Sequence, residues 1–209
     1  MIHTRVYRGV EFFIIFILVP VSFTLAYHPV IKLSIGFVGF LYVMYVLLKV
    51  ENQKFKIAPN LNWSVFWKQT MIKLLIIAII TMVFVGFTNK EALFYVLLNK
   101  PLKWLILLCV YALFSVYPQE LIYRTFFFKR YSVFFRQNRL LVFVNAVIFA
   151  MAHLFFKNTL VIALTFLGGI LFALTYQKTK STLLVSIEHA IYGSWLFTVG
   201  MGEMLGFPT

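Results

Sequence analysis

Residues 118–124 read Pro-Gln-Glu-Leu-Ile-Tyr-Arg and lie within a long apolar part of the chain. On a helix, side chains four residues apart share a face, so Glu120 and Arg124 can neutralise each other. Charges buried in hydrocarbon cost on the order of several kcal/mol unless they are paired or line a polar cavity, so they mark candidate functional sites. His153 and His189 lie in later apolar segments. Together these residues predict a polar site inside a bundle of helices.

The composition places the chain among membrane proteins. Hydrophobic residues make up 62% of the sequence and charged residues 12%, against about 45–50% and about 25% in soluble domains. This balance excludes a soluble globular protein. A membrane-spanning helix needs about 20 residues, so the 209 residues have room for seven or eight spans and no separate soluble domain.

The pattern of apolar segments predicts an all-α, polytopic membrane bundle of about seven spans. The predicted spans are residues 10–27, 31–50, 71–88, 102–128, 140–156, 159–177 and 182–204. Between the second and third spans, residues 51–70 combine tryptophans with lysines, which is typical of the lipid headgroup zone. The fourth span is expected to end at Lys129-Arg130, before a basic surface loop.

The sixth predicted span carries a stripe of small residues. Thr165, Gly169 and Ala173 recur every four residues and therefore lie on one helix face. Small side chains allow membrane helices to approach closely. The stripe predicts a helix-packing surface.

The net charge of +13 favours an orientation and not a nucleic-acid partner, because the cations lie between the apolar segments. Cytoplasmic loops carry the excess of lysine and arginine. Of the 19 such residues, thirteen fall on the side of the N-terminus and five on the other, and Arg124 lies within a span. We therefore expect an integral protein of the cytoplasmic membrane, in contact with lipid headgroups and with its N-terminus inside.

All six acidic residues are glutamates. Two of them, Glu120 and Glu188, fall well inside predicted spans and are candidates for membrane-embedded carboxylates. The others are expected at or near span ends or in loops: Glu11, Glu51, Glu91 and Glu203.

A glutamate and two histidines on separate helices can activate a water molecule. The carboxylate takes the proton, while neutral imidazoles orient the water or stabilise charge. The same three residues, Glu120, His153 and His189, could instead ligate a divalent metal with one open position. A structural polar network or an ion pathway is a further alternative at this point.

Three short patterns carry a resemblance to a known family. Gln119-Glu120-x-x-x-Arg124, Phe149-x-x-x-His153 and His189-x-x-x-Gly193 follow one another in this order. They resemble the three signatures of the CPBP family of intramembrane proteases, which includes type II CAAX prenyl endopeptidases and bacterial proteins linked to bacteriocin self-immunity. The resemblance implies a CPBP-type four-helix catalytic core. We therefore divide the chain into residues 1–101, with the first three spans, and a CPBP-like core at 102–209.

The resemblance also implies a role for each matching residue. His153 and His189 would line the water site, and Arg124 would support Glu120. The family pattern has a glutamate, its usual catalytic base, where this chain has Gln119, and commonly an asparagine that helps to stabilise the oxyanion where it has Gly193. A neutral amide cannot act as a general base. The two departures, at Gln119 and Gly193, therefore affect positions that the resemblance assigns to catalysis.

Three interpretations follow from these departures. Glu120 has taken over as the base, or Glu188 beside His189 supplies the missing carboxylate, or the protein is an inactive relative. The first two predict an intramembrane endopeptidase that hydrolyses a peptide bond near the cytoplasmic face. Its substrate would be a hydrophobic or lipid-modified peptide or a membrane protein. The third predicts a CPBP-fold membrane binding or immunity protein.

Overall fold

The computed structural model describes residues 2–55 and 61–203, and every regular element among them is helical. The all-α prediction is therefore confirmed for the described part of the chain. The helices, several of which combine α-helical and π-helical turns, are α1 (5–22), α2 (Pro29–Val50), α3 (Trp63–Thr88), α4 (Tyr95–Asn99), α5 (Pro101–Phe134), α6 (Asn138–Phe156), α7 (Thr159–Thr179) and α8 (Thr182–Val199).

Five of the described helices, α2, α3, α5, α6 and α7, are long and apolar enough to cross a membrane. They confirm an integral membrane protein, whereas the predicted total of seven spans is not confirmed. The helices α1 and α8 are not among these five, and they carry Glu11 and Glu188 respectively. Residue 204, the predicted end of the last span, lies outside the described residues, as do residues 56–60 of the predicted headgroup segment.

Local capping explains where several helices begin. The side chain of Thr4 accepts a hydrogen bond from the Tyr7 amide, so α1 starts at residue 5 and not at the predicted residue 10. The helix ends at residue 22 and not at the predicted residue 27. Asn62 accepts from the Val65 amide at 3.1 Å and starts α3 eight residues earlier than the predicted span. Polar side chains at N-caps satisfy amide groups that the first turn leaves without partners.

The chain forms two compact units. The first unit contains residues 1–56 and 119–182, and the second contains residues 57–118 and 183–209. The boundaries between them fall within α5 and near the start of α8. The division at residue 101, which was drawn from the family signatures, stays a prediction.

In the first unit, α6 and α7 pack closely through the predicted small-residue stripe. A Cβ atom added to Gly169 would lie 2.9 Å from the Cα of Ala146, closer than real Cβ contacts allow. Ala173, one turn further along α7, is fully buried. The packing role predicted for this stripe is therefore confirmed at Gly169.

A buried ion cluster joins α1, α2 and α5 in the first unit, and it corrects two predictions. Arg130 is fully buried inside α5, which continues to Phe134, so the predicted span end at Lys129-Arg130 is wrong. Its guanidinium donates to Glu11 Oε2 at 2.7 Å and to Glu51 Oε1 at 2.8 Å. Glu11 is also buried, and it lies further inside its helix than expected, because α1 begins at residue 5 and not at the predicted residue 10.

Two tyrosines complete the coordination of Glu11. Tyr131 donates its hydroxyl to Glu11 Oε2 at 2.7 Å, and Tyr42 donates to Oε1. A buried charge is tolerated when its remaining hydrogen-bonding sites are also filled. The cluster therefore fixes the C-terminal end of α5 against α1 and α2.

In the second unit, hydrogen bonds from large aromatic side chains hold α8 in place. Trp195 donates from Nε1 to Thr81 Oγ1 at 2.8 Å on α3. Trp104 on α5 donates in the same way to Thr198 Oγ1 at 2.9 Å. Because buried indole groups need an acceptor, these bonds fix the rotation of α8 about its axis.

We predict that Arg130→Ala lowers the free energy of unfolding by about 3–5 kcal/mol, the usual effect of leaving a buried charge without its partner. Lys129→Ala is the matched control, because Lys129 is the exposed neighbour on the same helix. Unfolding of the purified proteins in detergent measures both. Equal stability of the two variants would contradict the buried cluster.

We also predict that Gly169→Ala destabilises the protein by about 1–3 kcal/mol, since the added methyl group overpacks the contact with α6. The control is Gly39→Ala on α2, where an added Cβ meets nothing within 4 Å. Alanine is the better helix former, so the control is expected to be neutral or slightly stabilising. A Gly169→Ala protein as stable as Gly39→Ala would refute the close approach.

Candidate active site

Glu120 and Arg124 form an ion pair on α5 in the first unit. Arg124 Nε lies 3.3 Å from Glu120 Oε2, and neither side chain has any exposed surface. Glu120 ends a short α-helical turn, and Arg124 lies in the π-helical turn Leu121–Phe126 that follows. Such π-helical turns are frequent at functional sites. The pair is therefore fully buried within a π-helical part of α5, and similar turns occur elsewhere in α1, α2 and α5.

The guanidinium of Arg124 is enclosed by aromatic rings from the neighbouring helices. Its central carbon lies 4.5 Å from the ring centre of Phe149 on α6 and 5.8 Å from that of Phe172 on α7. A cation over an aromatic face is attracted by the ring quadrupole. Three helices thus hold the Arg124 end of the ion pair.

His153 lies at the C-terminal end of α6, one turn after Phe149. The two rings are 5.0 Å apart, and His153 Nδ1 is 2.8 Å from the carbonyl oxygen of Phe149. Because a carbonyl can only accept, the neutral imidazole donates from Nδ1 and keeps Nε2 as its acceptor nitrogen. Phe149 contacts both Arg124 and His153, so Glu120, Arg124 and His153 belong to one neighbourhood of the first unit.

Gln119 precedes Glu120 on the same turn of α5 and is half-buried. Consecutive residues on a helix point about 100° apart. The side chains of Glu120 and Gln119 therefore point to different sides of α5. If Glu120 acts as the base, it approaches the water from a different angle than a carboxylate at 119 would.

In the second unit, Glu188 is fully buried beside His189 on α8 but is already bound by other residues. Its Oε1 accepts from Lys73 Nζ at 2.6 Å and from the Tyr192 hydroxyl at 2.9 Å. Lys73 is one of the thirteen cations that the sequence analysis assigned to the side of the N-terminus. Its position inside a predicted apolar span was the signal that could have identified it. This ion pair accounts for the burial of Glu188 without a role in activating water.

His189 is buried on the face of α8 that also carries Gly193, one turn later. The ring of Tyr111, from α5, meets the His189 ring edge-on with 6.1 Å between centres. A Cβ on Gly193 would lie 2.5 Å from Cζ of Tyr111, so this ring occupies the space beside the glycine. The sequence analysis did not identify Tyr111, because a single aromatic residue in an apolar span is common.

The structure thus brings the predicted site residues together in two groups. Gln119, Glu120, Arg124 and His153 lie in the first unit, and Glu188, His189 and Gly193 lie in the second. A single cavity shared by Glu120, His153 and His189 stays a prediction.

A further alternative from the sequence was a divalent metal bound by Glu120, His153 and His189. Among the described residues, no group of three or more histidine, cysteine, aspartate or glutamate side chains has the arrangement of a metal site. Binding of a divalent metal by Glu120, His153 and His189 therefore has no structural support.

Comparison with known protein families agrees with the resemblance that the three signatures carry. Residues 100–195 match the sequence model of a family described as type II CAAX prenyl endopeptidase Rce1-like. This range includes all three signatures, from Gln119 to Gly193. Neither a curated protein nor a solved structure gives a significant match to the chain. The family match supports the predicted resemblance to the CPBP and CAAX protease family and the class of membrane protease.

We predict that Arg124→Ala destabilises the protein by about 3–5 kcal/mol, because it leaves the Glu120 carboxylate buried without its cation. The control is Arg139→Ala at the start of α6, where the side chain is exposed. Unfolding of the purified proteins in detergent measures the stability of both variants. An Arg124→Ala protein with the stability of the control would show that the pair does not stabilise the fold.

Proposed function

We propose that this chain is an intramembrane endopeptidase of the CAAX type that uses Glu120 to activate water. The observation that carries the proposal is the neighbourhood of Glu120, Arg124 and His153 in the first unit, within the segment that matches the endopeptidase family. These residues combine a carboxylate, a fixed cation and an imidazole with a defined acceptor nitrogen. General acid–base hydrolysis needs such a set.

Each of the three buried carboxylates has a cation beside it, and Glu120 is the one that lies in the neighbourhood of His153. Glu11 is bound to Arg130, and Glu188 is bound to Lys73. An ionised carboxylate has two oxygens and about four lone-pair sites, so Glu120 can contact Arg124 and still accept the proton of a water. Arg124 balances its charge without being consumed in the reaction.

In the proposed reaction, a water held by Glu120 and by Nε2 of His153 attacks the carbonyl carbon of a peptide bond. Its proton passes to Glu120 as the oxygen–carbon bond forms, and the carbonyl oxygen becomes an oxyanion. The carbon–nitrogen bond then breaks, and the leaving amine takes the proton from Glu120. His189, the histidine of the third signature, remains a proposed catalytic residue.

The surroundings of the site favour an apolar substrate. The described helices that flank the signatures, α5, α6 and α7, are apolar enough to lie in a bilayer. The proposed substrate is therefore a hydrophobic or lipid-modified peptide, or a membrane protein. The excess of cations on the N-terminal side supports cleavage near the cytoplasmic face of the cytoplasmic membrane.

A second function, membrane binding or immunity without catalysis, is favoured by a different observation. Gln119 is a neutral amide at the position of the family's usual base, and Glu120 is fully buried in an ion pair. A protein with these features can bind an apolar peptide without cutting it. The following substitutions separate the two functions.

We predict that Glu120→Gln lowers peptidase activity by about 10²–10⁴-fold, the usual contribution of a general base. Gln119→Glu is also expected to lower activity, because a second carboxylate beside Glu120 disturbs the water that Glu120 holds. Activity of the purified proteins on a lipid-modified peptide and on unmodified hydrophobic peptides measures both effects, with unfolding in detergent recorded alongside.

Two exposed positions provide matched controls. Glu91→Gln and Gln137→Glu make the same chemical changes outside the site and are expected to retain activity. A rise in activity in Gln119→Glu would instead identify position 119 as a lost base. Folded proteins that are all inactive on every peptide would overturn the endopeptidase proposal in favour of the binding function.

A further inference from the structure

A cavity of about 620 Å³ lies between α1 and α2 in the first unit. Its walls are mostly apolar side chains from both helices, among them Val10, Ile14 and Val38. These three side chains are between 44% and 65% exposed, so the cavity is open on the side that faces away from the helices. Its volume falls within the range of about 300–1,000 Å³ that is typical of sites for small molecules.

The cavity is polar at one end and apolar over the rest of its length. Tyr7, Glu11 and Tyr42 line the polar end, nearest to the start of α1. The hydroxyls of Tyr7 and Tyr42 are 2.9 Å apart, and Glu11 is held by Arg130 in the buried ion cluster. Beyond this end, Ser34 contributes the one further polar side chain among the lining residues that the structure describes. The cavity is therefore amphipathic along its length.

Two cations lie beside the polar end. Arg5 is the first residue of α1, and Lys49 is close to the end of α2. The contact of Arg8 with Glu51, at 3.4 Å, brings these two helix ends together. Both Arg5 and Lys49 are exposed, and within the described part of the chain neither forms an ion pair. The ion cluster between them contains two arginines and two glutamates, so Arg5 and Lys49 leave this end of the first unit positively charged.

We propose that the cavity between α1 and α2 binds one anionic phospholipid, with an acyl chain against its apolar walls and the phosphate beside Arg5 and Lys49. Basic residues at the ends of membrane helices attract anionic headgroups, and their long side chains reach the headgroup zone while the stems cover apolar surface. A neutral lipid matches the apolar walls but not the two cations. The inference is independent of the proposed endopeptidase function, because none of these residues belongs to the three signatures.

The first test fills the cavity from α2. Gly39 lines the cavity, and a Cβ added there meets nothing within 4 Å, so Gly39→Leu places an alkyl group in the space for the acyl chain. Gly36→Leu is the matched control, since Gly36 lies on the same helix with equally open space but does not line the cavity. Phosphatidylglycerol is titrated into the purified proteins in detergent while the unfolding temperature is recorded.

A ligand that binds the folded protein raises its unfolding temperature as the site fills. We expect a saturable rise for the wild type and for Gly36→Leu, and its loss in Gly39→Leu. Ser34→Leu fills the same cavity from another position on α2 and takes the place of Gly39→Leu if that variant does not fold. Filled variants that respond like Gly36→Leu overturn the inference.

The second test concerns the headgroup. Arg5→Gln and Lys49→Gln are each expected to weaken the binding of phosphatidylglycerol about fivefold, the usual effect of one basic residue near an anionic headgroup. Lys178→Gln is the control, because it removes an exposed charge from α7, a helix that does not line the cavity. Phosphatidylcholine, which has no net charge, is expected to bind more weakly than phosphatidylglycerol, and high salt should reduce this difference.

Other occupants give different results. Equal binding of the two lipids, unchanged by Arg5→Gln and Lys49→Gln, overturns the anionic headgroup. A protein that responds to neither lipid but forms a dimer that Gly39→Leu disrupts has a second copy of the chain at this surface, and this result overturns the phospholipid. A response to a lipid-modified peptide alone overturns it as well.

Discussion

Burying a charged side chain costs free energy, and in a chain this apolar the structure offsets that cost by pairing opposite charges. Among the described residues, the buried glutamates at positions 11, 120 and 188 each contact a cation. Their partners are Arg130, Arg124 and Lys73. Each pair also draws in aromatic rings or tyrosine hydroxyls, which fill the remaining positions around the charges. The packing of the helices in both units is organised around these pairs.

The pairs also differ in what they connect. The Arg130–Glu11 and Lys73–Glu188 pairs each join separate helices and therefore hold the fold together. The Glu120–Arg124 pair lies within one helix, and Arg124 links it to the two neighbouring helices through the rings of Phe149 and Phe172.

The sequence predicted those features that depend on local spacing. Composition identified the membrane class, a four-residue interval identified the Glu120–Arg124 pair, and another identified the close approach at Gly169. The missed features connect residues that are far apart in the chain. Arg130 and Glu11 are 119 residues apart, and Lys73 and Glu188 are 115 apart. Loop-charge rules assign such cations to the surface, because no local pattern reveals a distant carboxylate. The contact of Tyr111 with Gly193 was hidden for the same reason.

The contact between Tyr111 and Gly193 also couples the two positions to each other. While the ring keeps its present position, a side chain added at 193 overlaps it, so the ring must move to accommodate any residue larger than glycine. A smaller residue at 111 removes this overlap. The effect of a substitution at 193 therefore depends on which residue occupies 111.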